Sequence, residues 1–338
     1  MKTQEKLYHY YVGIDVSKET IDVSTLIDKS KSAQHKQFSN DSSGYKLMDR
    51  WLTKQPDFDY SLSLVCMEHT GIYTRLLIKH LLDQGINVWL ESSLQIKKSL
   101  GLKRGKNDKI DSMRIAEYAC RYNDKANLTG CYSKNMQRLK DLLSSRTRLN
   151  KSLKSITVSL KELKKIDTEQ GMLLETFNLS AIRGLKQSIK EVEQSMEELI
   201  MSDPQLREMF ILATSIPGVG KVLTMKLLVY THAFTKFETT RQLACYCGVA
   251  PFEHRSGTSI YGRPGVSKFA NNDLKSTLHL AAMSSIQHNP ELKKYYERKV
   301  EEGKSKMSTV NAVRNKLLNR IVAVIKRRTP YVKLNMAS

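Results

Sequence analysis

Cysteine is scarce in this chain, and the few present rule out two common scaffolds. Cys66, Cys120, Cys131, Cys245 and Cys247 are odd in number and lack paired C-x-x-C spacing with histidines. Neither a disulfide frame nor a structural zinc site is supported. Long apolar runs are also missing: no stretch approaches the roughly 20 residues needed to span a bilayer. The charged start, Met-Lys-Thr-Gln-Glu-Lys, runs straight into a strand-like segment. A soluble cytoplasmic protein with no membrane partner is expected. Acidic residues are few against basic ones, 34 Asp and Glu facing 55 Lys and Arg, for a formal charge of +21. The excess is spread along the chain, which favours a polyanionic partner through release of counterions condensed on nucleic acid. Charge that serves only solubility is the competing reading, and neither reading speaks to chemistry. A length of 338 residues with 40% hydrophobic content accommodates two or three units with real cores.

From Tyr8 to about Tyr122 short β-rich runs alternate with helical ones. Strands are expected at Tyr10–Asp15, Ile21–Ile27, Gln34–Ser39, Leu62–Met67 and Asn87–Leu90, with helices around Gly44–Thr53 and Tyr73–Gln84. Three strands followed by alternating helix and strand is the order of the RNase H-like fold. Between Gln137 and Leu163, apolar residues fall at Leu139, Leu142, Leu149, Leu153, Ile156, Leu160 and Leu163, with Arg146 filling the one gap. The same spacing resumes at Ile182, Leu185, Ile189, Val192, Met196 and Leu199 after a break near Asp167–Gly171. Two long helices with a coiled-coil seam result, folded back as a hairpin or paired between subunits. Their polar outer faces read as solvated surface. Further on, Ser215-Ile216-Pro217-Gly218-Val219-Gly220-Lys221 separates two helical patterns. Gly218, Gly220 and Lys221 would let backbone N–H groups and a helix N-terminus approach a phosphate, as in helix-hairpin-helix DNA binders. A plain helix-connecting turn is the alternative.

Asp15 ends the first strand in Val12-Gly13-Ile14-Asp15, and Glu68 ends another in Leu64-Val65-Cys66-Met67-Glu68. An ionised carboxylate beside a core needs a metal or a hydrogen-bond donor, since burying it unpaired costs several kcal/mol. Asp108 and Asp111 are three apart on an expected helix and project from one face. Each acid alone reads as a turn former or, for Asp108, a helix N-cap. The ordered set Asp, Glu, Asp, Asp at element ends points instead to hard oxygen donors for two Mg²⁺ ions about 4 Å apart. Asp22 and Glu91 are left out, because neither sits at an equivalent place. A second candidate is Ser256, flanked by Arg255, with Arg263, Lys268 and Lys275 downstream to hold phosphate oxygens. On its own, such a serine in a Gly-rich basic loop reads first as a phosphate-contacting turn residue rather than a nucleophile.

Together the segments Gly13-Ile14-Asp15-Val16-Ser17-Lys18, Glu68-x-Thr70-Gly71-x-Tyr73, Lys106-Asn107-Asp108-x-x-Asp111-Ser112, Ile216-Pro217-Gly218-Val219-Gly220 and Ser256-Gly257-Thr258-Ser259 resemble the DEDD transposases of insertion sequence family 110, which include the Piv-type invertases. The resemblance covers nearly the whole chain. It implies an α/β, RuvC-like catalytic domain over 1–128, a helical coiled-coil middle over 129–205, and a mainly α transposase domain with a helix-hairpin-helix-like element over 206–338. Carried over, Asp15, Glu68, Asp108 and Asp111 are the Mg²⁺ ligands and Ser256 the nucleophile. Lys106, Gly218, Gly220, Lys221, Arg255, Arg263, Lys268 and Lys275 become nucleic-acid contacts. The partners implied are donor and target double-stranded DNA, a structured noncoding guide (bridge) RNA, and further copies of the chain as a dimer or tetramer, acting at the nucleoid. The chain departs from its relatives at Lys275, where a Leu-Arg pair is common. Lysine keeps the charge but loses bidentate geometry. Ala270 follows where glycine is common, and His69 stands where a small residue is frequent. The expected activity is Mg²⁺-dependent DNA cutting and rejoining through a serine–DNA intermediate. The rivals are a RuvC-like nuclease or junction resolvase using metal-activated water, and a non-catalytic nucleic-acid-binding protein.

Overall fold

The computed structural model describes residues 8–27, 33–69, 71–99, 107–130, 133–256, 260–267 and 269–332. The chain divides into two compact units, Met1–Cys131 and Tyr132–Ser338.

The first unit is built on five strands: β1 (Tyr10–Val16), β2 (Thr20–Ile27), β3 (Ala33–Ser39), β4 (Ser63–Glu68) and β5 (Asn87–Glu91). Their spatial order is β3-β2-β1-β4-β5, antiparallel from β1 to β3 and parallel from β1 through β4 to β5. Helices α1 (Ser42–Leu52), α2 (Arg75–Asp83), α3 (Ser93–Ser99) and α4 (Asp108–Arg121) complete the unit. Side-chain alternation assigns the two sheet faces. Val12, Ile14 and Val16 of β1 join Val65 and Met67 of β4 and Tyr45, Met48, Leu77 and Leu81 of α1 and α2 in one core. On the other face Tyr11, Leu64, Cys66 and Trp89 pack with Ile115, Tyr118 and Ala119 of α4. Gly13 permits this approach: a Cβ there would lie 2.2 Å from the Ser112 carbonyl oxygen and 2.3 Å from the Ala116 nitrogen. Ser24 of β2 and Ser112 of α4 share a hydrogen bond of 2.8 Å across the same contact.

The second unit is mostly helical. Helix α5 (Lys134–Ile166) turns at Asp167 directly into α6 (Thr168–Ser202). Asp167 closes one helix and N-caps the next, accepting from Gln170 N. The two pack along each other as an antiparallel hairpin within the chain, pinned by Arg146–Glu193 at 2.6 Å and Lys164–Glu175 at 2.6 Å. Beyond it come α7 (Pro204–Thr214), α8 (Lys221–Tyr230), α9 (Thr240–Tyr246), strands β6 (Pro251–Ser256) and β7 (Ile260–Val266), and helices α10 (Asn272–His288), α11 (Pro290–Glu301) and α12 (Lys306–Arg327). Helix α8 is apolar almost all round and buried, so it forms the centre of the unit. Its one buried cation, Lys226, is neutralised by Asp273 Oδ1 at 2.6 Å and bonded to Thr277 Oγ1 at 2.8 Å, which ties α8 to α10. No helix of the described residues is long and apolar enough to cross a membrane.

Candidate active site

Four acids lie side by side across the sheet of the first unit, on the face that α4 covers. Asp22 pairs directly with Asp15, the parallel register of Ile14 with Met67 brings Asp15 level with Glu68, and Glu68 pairs with Glu91. Each sits two residues along its strand from a group already turned to α4: Asp15 from Gly13, Asp22 from Ser24, Glu68 from Cys66 and Glu91 from Trp89. Asp108 and Asp111 enter from the first turn of α4. Asn107, not Asp108, is the cap of that helix, accepting from Lys109 N at 2.8 Å, so the Asp108 carboxylate is released from capping and stands exposed.

Hydrogen bonding sorts these six acids. Asp22 is held by His35 Nε2 at 2.8 Å and Gln37 Nε2 at 3.0 Å. Glu91 accepts from Tyr118 OH at 3.2 Å and from Ser92 N at 2.7 Å. Among the described residues Glu68 accepts one bond, from Ser93 Oγ at 2.5 Å, and Asp111 one, from Arg114 NH1 at 3.1 Å. Asp15 and Asp108 have no hydrogen-bond donor among the described residues. The consequence appears at Asp15, whose pKa is pushed up to about 6. Burial is the largest cause, followed by the charges of Glu68, Asp111, Asp108 and Asp22. Those four charges are therefore close enough to oppose the ionisation of Asp15. Among the described residues, no three His, Cys, Asp or Glu side chains are drawn to the spacing of a closed ligand cage. Carboxylate oxygens are hard donors that suit a hard divalent cation, and the accumulated negative charge around Asp15 suits it further.

In the second unit, Ser256 is not in a glycine-rich loop. It is the last residue of β6 and pairs with Ile260 at the turn end of an antiparallel hairpin, with an irregularity between Phe252 and His254. The side chains of Arg255, Ser256 and Arg263, and the whole of Lys106 and Lys268, fall outside the described residues. Lys275 lies at the hairpin's other end: its stem packs over Gly248, where a Cβ would meet Lys275 Cδ at 3.1 Å and Ala270 Cβ at 2.8 Å. Five strand steps separate Pro251 from Ser256, roughly 17 Å if extended, so Lys275 belongs to the root of the hairpin. Asn271 caps α10 through Asp273 N and Leu274 N, and its own N–H reaches Tyr246 O at 2.7 Å. In the turn before α8, Gly218 has φ +89 and lies against Ser285, whose Oγ donates to Pro217 O at 3.2 Å. The left-handed backbone and the close packing on α10 both call for glycine there. Gly220 N-caps α8 without a side-chain bond, and Lys221 is paired with Glu197 at 2.6 Å.

The family model for the IS110 DEDD transposases, described as transposase, matches residues 12–163, and the model "Transposase IS116/IS110/IS902 family" matches residues 211–297. This chain belongs to the IS110 family of transposases. The pilin gene-inverting protein of Moraxella bovis is 28% identical over 327 residues, covering 96% of this chain and 98% of its own length. The transposase for insertion sequence element IS1533 of Leptospira borgpetersenii is 24% identical, over 68% of this chain and 72% of its own. Membership makes this chain a DNA transposase or recombinase, and the first family segment spans all six acids described above.

For an IS110-family chain, sequence motifs alone miss some of the site. Asp22 and Glu91 do occupy places equivalent to Asp15 and Glu68; their hydrogen bonds, rather than their positions, set them apart. The signal is available near the strand ends, since Asp22 lies near the start of β2 opposite Asp15 and Glu91 closes β5. Ser93, which orients Glu68, carries no sequence signal, because only the folding of α3 brings it there. His69 is exposed beside the site, and its backbone N–H bonds Glu91 O at 3.1 Å.

Proposed function

We propose that the chain is the recombinase of a bacterial insertion sequence, with Asp15, Glu68, Asp108 and Asp111 of a RuvC-like first domain holding Mg²⁺ and Ser256 of the transposase domain attacking DNA. The observation that carries this reading is Asp15: half-buried, without a hydrogen-bond donor among the described residues, and opposed by three of its proposed co-ligands. A carboxylate so placed is costly unless a cation offsets it. The strand order β3-β2-β1-β4-β5 supports the RuvC-like assignment. When bound, two Mg²⁺ ions would supply charge stabilisation of a phosphoryl transition state and orientation of the attacking oxygen.

The remaining steps belong to the chain. Glu68, fixed by Ser93, and Asp111, fixed by Arg114, are the pre-oriented ligands, whereas Asp15 and Asp108 can swing to close the set. Ser256 Oγ loses its proton and bonds to phosphorus as the bond from phosphorus to one deoxyribose oxygen breaks. The departing oxygen takes up a proton, so one phosphodiester replaces another and its reversal reseals a strand. In this reading the domains are 1–128, 129–205 with a coiled-coil seam, and 206–338. The serine meets the carboxylates within one chain or between copies of a dimer or tetramer. Gly218, Gly220, Lys221, Arg255, Arg263, Lys268, Lys275 and Lys106 serve the phosphates, and a structured noncoding RNA of the element pairs with donor and target. The +21 charge supports a complex with both nucleic acids.

Denaturing gels of the protein with labelled element-end DNA and Mg²⁺ test the serine. A covalent protein–DNA band that disappears in Ser256→Ala, with DNA binding retained, is expected. An adduct surviving that substitution removes the serine from its role. Free 5′-phosphate ends with no adduct in the native protein would support hydrolysis by metal-activated water instead.

A further inference from the structure

Charge in the long hairpin of the second unit is sorted by helix. From Leu142 to Lys161, helix α5 contains no Asp or Glu but carries Arg146, Arg148, Lys151, Lys154 and Lys161. Acidic residues concentrate on α6 at Glu169, Glu175, Glu191, Glu193, Glu197 and Glu198. Arg146 faces α6 and pairs with Glu193. The others do not: Arg148, Lys151, Lys154 and Lys161 are exposed, and among the described residues none has a carboxylate partner. Ser144, Arg148, Lys151, Ser155 and Ser159 follow at steps of four, three, four and four, which places them in one row on the helix surface, with Lys154 and Lys161 beside it. The row is about 22 Å long at 1.5 Å per residue. The hairpin gains nothing from it, because like charges at three- and four-residue spacing repel.

We propose that this row of α5 is a docking surface for the sugar-phosphate backbone of duplex DNA, an inference that rests on the reading of the chain as a DNA recombinase. Cations flanked by serine hydroxyls offer charge and hydrogen-bond donors to successive phosphates. Splayed bases stack on aromatic side chains or on arginine planes; α5 has no Phe, Tyr, Trp or His, and the one arginine of the row, Arg148, is drawn along the helix by its bond to Ser144 Oγ at 3.2 Å. The surface therefore reads a regular backbone and carries no sequence preference. At 3.4 Å per base pair, a row of this length follows about six base pairs.

The test measures anisotropy of a labelled mixed-sequence 30-base-pair duplex with the full chain over a series of salt concentrations. Each phosphate contact contributes about 0.9 to the slope of log K against log salt. The triple variant R148Q/K151Q/K154Q should lower that slope by about 2 to 3 and weaken binding about tenfold or more at low salt. Its melting temperature should be unchanged or higher. Each single substitution should lower the slope by about 0.9, and K165Q, whose ammonium already pairs with Glu162, should leave it as it was. An unaltered slope in the triple variant would reduce the row to a solvated face. Loss confined to an RNA hairpin stem, with DNA binding intact, would also overturn the proposal. Absence of salt-dependent DNA affinity in the native protein would instead sink the recombinase reading along with it.

Discussion

At Asp15 a single proton links stability to pH. Its pKa, raised from 3.8 to about 6, means that the folded chain holds this proton more tightly than the unfolded one. The resulting stabilisation is complete below about pH 3.8 and lost as pH rises through about 6. In metal-free buffer the Asp15→Asn variant should remove this contribution, so that its melting temperature falls less than that of the native protein between pH 4 and 7. Parallel melting curves at every pH would contradict the burial and repulsion described. Gly13 gives a second expectation. Because a Cβ would strike α4 backbone atoms rather than a movable side chain, Gly13→Ala should destabilise the protein by about 3 kcal/mol, read by denaturant unfolding. Both residues stand in one short motif that is legible in the sequence. The acid is visible there as a strand end, whereas the need for glycine depends on α4, which is distant along the chain. Which acids are tied up by donors is not legible either, since His35, Gln37, Ser93 and Tyr118 arrive by sheet pairing and helix packing.

Strands of the first unit, and its helices α1 and α2, can be read from sequence to within a residue or two, because β1, β2 and β4 are short runs buried almost throughout and bounded by polar turns. Helix α3 cannot: a short segment with Ile96 as its one buried residue leaves little periodicity. Hairpin β6–β7 is hidden as well, since its glycines and basic residues read as loop composition. In the α5–α6 hairpin the apolar spacing is plain, but intrachain pairing is decided by the one-residue turn at Asp167. Arg146 interrupts that seam and pairs with Glu193, which is partly exposed. Arg146→Leu completes the apolar row, so its melting temperature should stay level or rise, as replacement of a buried ion pair by apolar packing often allows. Leu139→Ala, at a fully buried seam position, should cost about 2 to 5 kcal/mol in chemical denaturation. A large loss from the first change would mean that the ion pair, rather than packing, holds the helices together.

For the molecule as a whole, an excess of positive charge and a concentration of carboxylates have opposite needs. Lysines and arginines bring phosphates to the chain, and phosphates would be repelled from the acids at the sheet end unless cations lie between. Composition announces the first need, and ordered motifs announce the second. The clustering of acids comes only with the fold, because Asp15, Glu68 and Asp108 are separated by dozens of residues and meet through parallel strand pairing and α4. The most direct measurement is Mn²⁺ binding to the full-length protein, followed by electron paramagnetic resonance, in the native chain and in Asp15→Asn and Asp108→Asn. Saturable binding in the native chain that weakens at least tenfold in both variants is predicted. Equal binding in all three would show that these acids do not hold the metal.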